Sequence, residues 1–189
     1  MTEFFEFSIL KLKKVKMEIR FIQQPYVIDE QVLRHATEYY LKKLLPKECL
    51  EDLTILVRIK NKVDFGKKDY GSCAPVDVFE NYVPRHVVFD VTVRRSMSLT
   101  DKLQTLAHEM IHVAQHASGR LLHREVGQLS HNVKWKNRYL GQAYVNIEYE
   151  KQPWEREAFL YEESLYHDYR LSVIEKNYKE LSEQMKASK

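Results

Sequence analysis

The sequence predicts an α+β domain, and three observations support this prediction. Strand-like runs with a period of two and helical stripes follow one another without regular βαβ alternation. Hydrophobic residues make up 44% of the chain and aromatic residues 12%, which is enough for a core and too rich for a disordered chain. Five glycines and five prolines leave little room for flexible linkers. We therefore expect a single domain over residues 1–189, with a core at about 15–168 and an amphipathic helix at 169–189.

The N-terminal part is expected to hold two strands and one helix. Apolar and polar residues alternate over residues 15–21, which is typical of a strand. Apolar residues recur at helical spacing between residues 28 and 45, and Pro46 marks the end of that helix. Residues 53–59 are rich in β-branched side chains and predict a second strand. Glycines and a proline in residues 61–75 predict a turn or loop.

The middle of the chain predicts a strand followed by a long helix. Residues 87–94 alternate as a strand does, and an apolar stripe at helical spacing then runs from Leu99 to Ala117. Ser98 and Asp101 have the spacing of a capping box, so the helix should begin there. Gly119 fits the C-terminal end of the same helix.

The C-terminal part predicts a hairpin and two helical segments. Two β-like runs, at residues 133–136 and 144–149, could pair as a hairpin. Pro153 is well placed as the first residue of a helix that has Trp154, Ala158, Tyr161 and Leu165 on one face. A last apolar stripe at residues 171–185 predicts an amphipathic helix, docked on its own domain or forming an oligomer contact.

Charge and cysteine content argue against several classes of protein. The chain has 30 Lys and Arg against 27 Asp and Glu, and a net charge of +3 gives little support to nucleic-acid binding. Two cysteines, Cys49 and Cys73, make neither a disulfide framework nor a zinc cluster. No apolar run is long enough for a membrane span, and the N-terminus lacks the features of a signal peptide. We therefore expect a cytoplasmic protein, in its own cell or in a host cell.

The chemistry is expected at the motif His-Glu-Met-Ile-His, residues 108–112. His108 and His112 are four apart, so both imidazoles lie on one helix face and can bind one metal ion. Glu109 projects roughly 100° away, which suits a general base better than a third ligand. This is the H-E-x-x-H arrangement of zinc metallopeptidases. The alternative is an ordinary helix with two surface histidines and a glutamate.

A catalytic zinc ion needs a third protein ligand and an open fourth position. His116 continues the same helix face, but it lies about 12 Å along the axis from His108 and is too far away. Gln115 and Ser118 stand where the metzincin pattern requires glycine and histidine, so that class is excluded. The third ligand must therefore come from another segment.

Glu155 is the favoured third ligand, and Glu157 and His131 are the alternatives. Glu155 lies at the start of the next helix and leans to the side of Ala158, whose small side chain allows two helices to approach closely. The ordinary explanation of such first-turn carboxylates is that they complement the helix dipole.

The residues around the motif resemble those of zincin peptidases. The segment 106–115 looks like the active-site helix of SprT-like and related zincins. Residues 135–136 with 153–158 resemble a family of small proteins, predicted to be metallopeptidases, that is common in tailed-phage genomes. Residues 155–158 are also similar to the E-x-x-A element that supplies the glutamate ligand in gluzincins. The resemblance covers roughly residues 85–165.

This resemblance implies a zincin-like fold and a zinc peptidase activity. The expected fold is a small, twisted, mostly antiparallel sheet packed on the active-site helix, with a second, ligand-bearing helix and an edge strand beside the cleft. The strand at 85–93, or a neighbour, is then expected to bind an extended peptide by strand addition. The resemblance implies one Zn²⁺ per chain, held by His108, His112 and Glu155. Glu109 would be the general base in the hydrolysis of a protein or peptide substrate.

Two other functions stay open at this point. The chain could be a non-catalytic phage structural or interaction protein on a zincin scaffold, although an intact Glu109 argues against a purely structural metal. It could also be an SprT-like protease that associates with DNA, since cations and aromatic residues alternate over residues 134–139 as in a single-strand platform. The same alternation is explained by a hairpin with one wet and one packed face. The oligomeric state is open.

Overall fold

A computed structural model of the chain describes residues 17–22, 27–51, 53–60, 70–80, 83–126, 130–140 and 147–187. It confirms the predicted α+β class. In chain order the described elements are β1 (Glu18–Phe21), α1 (Val27–Leu44), α2 (Lys47–Leu50), β2 (Thr54–Lys60), β3 (Gly71–Glu80), β4 (Val83–Arg94), α3 (Leu99–Ala117), β5 (Leu121–Val126), β6 (Ser130–Trp135), β7 (Arg138–Leu140), a 3-10 turn (Tyr149–Lys151) and α4 (Pro153–Ala187).

The larger sheet has four strands in the order β1-β2-β4-β3. β1 pairs with β2 and β2 with β4 in parallel, whereas β3 pairs antiparallel with β4. The prediction of a mostly antiparallel sheet is therefore wrong for this sheet, because the helical segment between β1 and β2 returns the chain to run in the same direction. β4, which contains residues 85–93, has a strand on either side, so the edge position falls to its neighbour β3.

Strand β3 corrects the loop prediction for residues 61–75. Residues 61–69 lie outside the described ranges, but Gly71 and Pro75 belong to the strand Gly71–Glu80. Proline and glycine are tolerated here because β3 is an edge strand, where a missing N–H donor disrupts the ladder least.

The core lies between this sheet and the helices, with α3 at its centre. Ile55, Val57 and Ile59 of β2 are buried at every second position, as expected from the period of a strand. Helix α3 is buried on more than one side, because it packs against the sheet and against both α1 and α4. The site residues on α3 are therefore held by packing on several sides of the helix.

Both predicted ends of α3 are confirmed. The Ser98 hydroxyl accepts a hydrogen bond from the backbone N–H of Asp101 at 3.1 Å, which is the N-cap contact that the spacing predicted. Gly119 has a φ of 69°, the left-handed conformation that glycine adopts without strain after a helix. These caps set the start and the end of the helix, and so the direction in which its side chains point.

A second, smaller sheet of β5, β6 and β7 replaces the predicted hairpin. β6 pairs antiparallel with β5 and with β7, joined to β7 by Lys136 and Asn137. Both turn residues have positive φ, as a tight two-residue hairpin turn requires. The prediction of a partner strand at 144–149 is wrong for the described residues 147–149, because Tyr149 begins a 3-10 turn. Residues 141–146 lie outside the described ranges.

Helix α4 begins at Pro153, as predicted, and continues without a break to Ala187. The sequence predicted two helical segments, but no glycine or proline separates them. Trp154, Ala158 and Leu165 are buried, whereas Tyr161, predicted on the same face, is exposed. Of the two alternatives for the stripe at 171–185, docking on its own domain is wrong for the described side chains, which are exposed, and an oligomer contact stays a prediction. Long as α4 is, none of the described helices is apolar enough to span a membrane.

Candidate metal centre

Helices α3 and α4 bring three potential metal ligands together in a buried group. His108 and His112 lie one turn apart on α3, with their Nε2 atoms 3.1 Å apart. The Oε2 atom of Glu155, in the first turn of α4, lies 3.3 Å from Nε2 of His108 and 3.2 Å from Nε2 of His112. All three side chains are buried. This group could hold a metal ion.

The distances between the three ligand atoms fit a tetrahedral ion. At metal–ligand distances of about 2.0–2.1 Å, ligand atoms of a tetrahedral site lie about 3.3 Å from one another. The observed separations of 3.1 to 3.3 Å match this value. Two imidazole nitrogens and one carboxylate oxygen also suit a divalent ion of borderline softness. The residues present therefore fit a metal ion in both spacing and chemistry.

The imidazole of His108 is oriented by a carboxylate on α4. Its Nδ1–H donates to Oε2 of Glu162 at 2.7 Å. The other oxygen of Glu162 accepts a hydrogen bond from the side-chain amide of Gln104 at 3.1 Å. With Nδ1 engaged in this way, Nε2 is the nitrogen that points to Glu155, so Glu162 sets both the tautomer and the ring orientation.

The imidazole of His112 is oriented by Gln115. The Gln115 side-chain N–H donates to the carbonyl oxygen of Trp154 at 3.0 Å, so its Oε1 is the atom that faces His112. Nδ1–H of His112 donates to that oxygen at 2.9 Å. Nε2 of His112 therefore points into the group, as a ligand must. The hydrogen bond from Gln115 to the carbonyl oxygen of Trp154 also ties the first turn of α4 to α3.

Sequence reasoning missed the roles of Glu162 and Gln115. Glu162 lies seven residues after Glu155, two helical turns along the same face, so its position follows once Glu155 is placed beside the two histidines. In the sequence, Gln115 was informative only because it stands where the metzincin pattern requires glycine. No sequence signal shows that its amide bridges His112 to the backbone of α4, because that contact depends on how the helices cross.

The structure separates Glu155 from the alternative Glu157. Glu157 forms ion pairs with Arg120 and, at 2.7 Å, with Lys136, so it faces the smaller sheet. Two residues along a helix turn the side chain by roughly 200°, which explains why neighbouring glutamates serve different surfaces. Burial would raise the pKa of Glu157, but the hydrogen bonds from Lys136 and Arg120 outweigh it and lower the pKa. The side chain of His131, the other alternative, lies outside the described residues.

Glu109 lies beside the group without belonging to it. The side chain is buried and packs against Gly71 at the start of β3, where a Cβ atom would come within 2.6 Å of Oε1 of Glu109. Burial raises the pKa of this carboxyl to about 7, against the opposing effect of His112 and His108. A group with a pKa near neutral can both accept and donate a proton under ordinary conditions.

The pKa values of the three potential ligands are also shifted: that of Glu155 is lowered, and those of His108 and His112 are raised. Burial lowers the pKa of His108, but hydrogen bonds to Glu155 and Glu162 outweigh it and raise the pKa to about 9. Burial raises the pKa of Glu155, yet hydrogen bonds from His108, His112 and Tyr149 lower it to about 2. The buried Glu155 carboxylate is therefore stabilised by positive charge beside it, which protons supply on the imidazoles and a cation could supply instead.

The group borders a cleft of about 1040 Å³. Gly71 of β3, His108 and Glu109 of α3, and Tyr149 all line the cleft. The ring of Phe159 packs on His108, with 4.8 Å between ring centroids. No lysine or arginine lines the cleft among the described residues. Besides Glu109, the lining carries four acidic side chains, those of Asp101, Glu148, Glu150 and Glu162. The cleft is thus large enough for a peptide segment and negatively charged.

Comparisons with protein-family models, with curated proteins and with solved structures find no match to this chain. The resemblance to zincins therefore rests on the residues named above, and function has to be argued from the site itself.

Proposed function

We propose that the protein is a zinc-dependent metallopeptidase that hydrolyses peptide bonds, with Glu109 as the general base. One observation carries the proposal: a buried His-His-Glu group lies at the edge of a cleft, with a buried carboxyl of pKa about 7 beside it. A solvated surface pair of histidines would have neither this burial nor the hydrogen-bonded support of Glu162 and Gln115.

The number and type of ligands favour a catalytic zinc site over a structural one. Structural zinc sites have four protein ligands, usually with cysteine, whereas catalytic sites have three and keep one position open. Among the described residues, the group holds two histidines and one glutamate and no fourth member. Zinc bound here would supply a Lewis acid and lower the pKa of a water molecule to near 7.

The side chains around the group have distinct tasks in this proposal. Glu109 accepts a proton from the attacking water and then donates it to the nitrogen of the leaving amine. Glu162 and Gln115 hold the two imidazoles in the orientation that ligation requires. The Tyr149 hydroxyl donates its one proton to Glu155. We assign this hydroxyl to the substrate oxygen that gains negative charge, to which it would turn from Glu155 when a peptide is bound.

The substrate is a peptide bound in extended form along β3. Among the described strands, β3 is one of the two edges of the larger sheet, and it reaches the cleft at Gly71, next to Glu109. Its outer backbone groups can pair with an added strand. Because acidic side chains line the cleft, substrates with lysine or arginine near the cleaved bond are favoured over acidic ones.

The alternative of a DNA-associated protease gains no specific support. Trp135, a member of the proposed single-strand platform, packs against Trp154, with ring centroids 6.4 Å apart. Lys136 pairs with Glu157 and lies over the ring of Trp135 at 4.9 Å. These contacts fit the simpler interpretation, a hairpin with one packed face and one wet face.

The experiment combines metal analysis with a peptide library. Protein purified without chelator and supplied with zinc should hold about one zinc per chain, and His112→Ala should abolish this. His167→Ala is the matched control, since this exposed imidazole lies outside the group. Cleavage should be found among peptides with basic residues. Absence of bound zinc would overturn the proposal, and zinc binding without any cleavage would favour a non-catalytic protein.

A further inference from the structure

The C-terminal half of α4 carries an apolar stripe that faces away from the other described parts of the protein. The stripe consists of Leu171, Ile174, Tyr178 and Leu181, which are 57%, 57%, 75% and 59% exposed. At about 100° per residue, these side chains lie on the opposite side of the helix from Tyr169, which is buried against the core. The rest of the chain, as far as it is described, therefore does not cover the stripe.

The spacing of the stripe is that of a two-stranded coiled coil. Its members are separated by three, four and three residues, and Met185 follows four residues after Leu181. This is the a and d pattern of a heptad repeat. A helical segment of this length is marginally stable alone in water, and a stripe of four large apolar side chains is normally covered.

The charges that flank the stripe favour a second copy of the same chain in parallel orientation. In a parallel pair, a residue at position g meets the residue at position e of the other helix, five positions on. Here these are Arg170 and Glu175, which are oppositely charged, and the contact occurs twice by symmetry. The next such pair, Asn177 with Ser182, is polar and neutral.

Other arrangements lack this complementarity. In an antiparallel pair centred on Tyr178, Glu175 would meet Ser182, and Arg170 would meet no carboxylate. Before Arg170, the parallel pair would be Glu163 with Asp168, and two carboxylates repel. The contact therefore begins at Arg170, directly after Tyr169, which is the last buried residue of α4 among those described.

We propose that residues 170–185 of α4 pair with the same residues of a second copy, forming a parallel two-stranded coiled coil. The apolar stripes form the seam, and Arg170 of each chain pairs with Glu175 of the other. Glu155 lies sixteen residues before Leu171, about 24 Å along the helix, so the pairing leaves both clefts open. The proposal is independent of the proposed function, because none of its residues contacts the metal group.

Analytical ultracentrifugation of the full chain over a range of concentrations tests the proposal. The wild-type protein should form a dimer, of twice the chain mass of 22.6 kDa, with increasing concentration. Ile174→Glu should give a monomer throughout, since it places a charge in the seam. Lys179→Gln changes the net charge by the same amount away from the stripe and should leave the dimer intact. Circular dichroism and the thermal unfolding midpoint show that each variant is folded.

A charge exchange tests the orientation. Arg170→Glu and Glu175→Arg alone should each weaken self-association by about tenfold, and the double variant should restore it. A wild-type monomer at all concentrations, or a dimer that Ile174→Glu leaves unchanged, would overturn the proposal. A dimer that depends on Ile174 but is not restored by the double exchange would overturn the parallel orientation.

Discussion

Glu109 is a buried carboxyl whose surroundings raise its pKa to about 7. Replacement by glutamine removes the proton acceptor and keeps the shape of the side chain. Glu109→Gln should therefore lower kcat/KM by about 100- to 10,000-fold, the usual contribution of a general base, while zinc content stays at one per chain. Peptide cleavage measured beside metal analysis checks this. Cleavage at the wild-type rate would remove Glu109 from the mechanism.

Glu162 is a positioning residue that acts through His108. Its carboxylate accepts the Nδ1–H of His108, a contact that makes an imidazole a better metal ligand. Glu162→Gln should weaken zinc binding about 10- to 100-fold, and Glu162→Asp should restore part of it. A competition titration against a chelating dye measures the affinity. Glu163→Gln is the matched control, because Glu163 is exposed and pairs with His167; an equal loss in both variants would contradict the assignment.

The residues of the site differ in how far sequence could predict them. His108, Glu109 and His112 follow from helical spacing alone, because one helix places all three. Glu155 required the assumption that a second helix approaches the first at Ala158, and the structure brings it to the two histidines. Tyr149 and Gln115 could not be predicted, because their roles depend on the crossing of α3 and α4 and on the turn before α4.

At the scale of elements, β3 approaches α3 so closely that only glycine fits at residue 71. A Cβ atom there would lie 2.6 Å from both Oε1 of Glu109 and Cγ2 of Thr105. Gly71→Ala should therefore displace the Glu109 carboxylate and lower cleavage by about 10- to 100-fold, with zinc affinity unchanged. Ser72→Ala, at the exposed next position of the same strand, should have no effect. Steady-state kinetics and zinc titration of both variants check this, and normal activity of Gly71→Ala would contradict the contact.

The helix ends could be predicted because they depend on nearby residues. The predictions for the strands failed where strand pairing determines the structure. The caps at Ser98 and Gly119 and the start at Pro153 were predicted because each needs only nearby residues. The strand at Gly71 was missed because glycine and proline usually indicate a turn, and only its edge position makes them acceptable. The parallel pairing of β1, β2 and β4 has no local signal, since the order of strands is set by the whole chain.

At the scale of the molecule, the group joins α3 to α4, so metal binding should stabilise the fold. An ion that binds only the folded protein adds about 2.7 kcal/mol when present at 100 times its Kd. For a chain of this size the gain corresponds to a rise in Tm of roughly 5 to 10 °C. Calorimetry with zinc and after chelation measures this rise. Glu155→Ala should show little response to zinc, because it lacks the ligand that α4 contributes.

The rise in Tm should grow with pH. In the absence of metal the pKa of His108 is about 9, above its usual value of 6.5. The protonated imidazole therefore stabilises the metal-free fold below pH 6.5, and this contribution is lost as the pH rises toward 9. Zinc must displace the same proton, so its binding strengthens over that interval. As the pH rises, the metal-free fold loses stability and zinc binds more tightly, because both depend on the same proton of His108. The difference in Tm with and without zinc should therefore be larger at pH 8.5 than at pH 6.5. A difference that stays constant, or that shrinks with rising pH, would show that His108 does not exchange a proton for the metal.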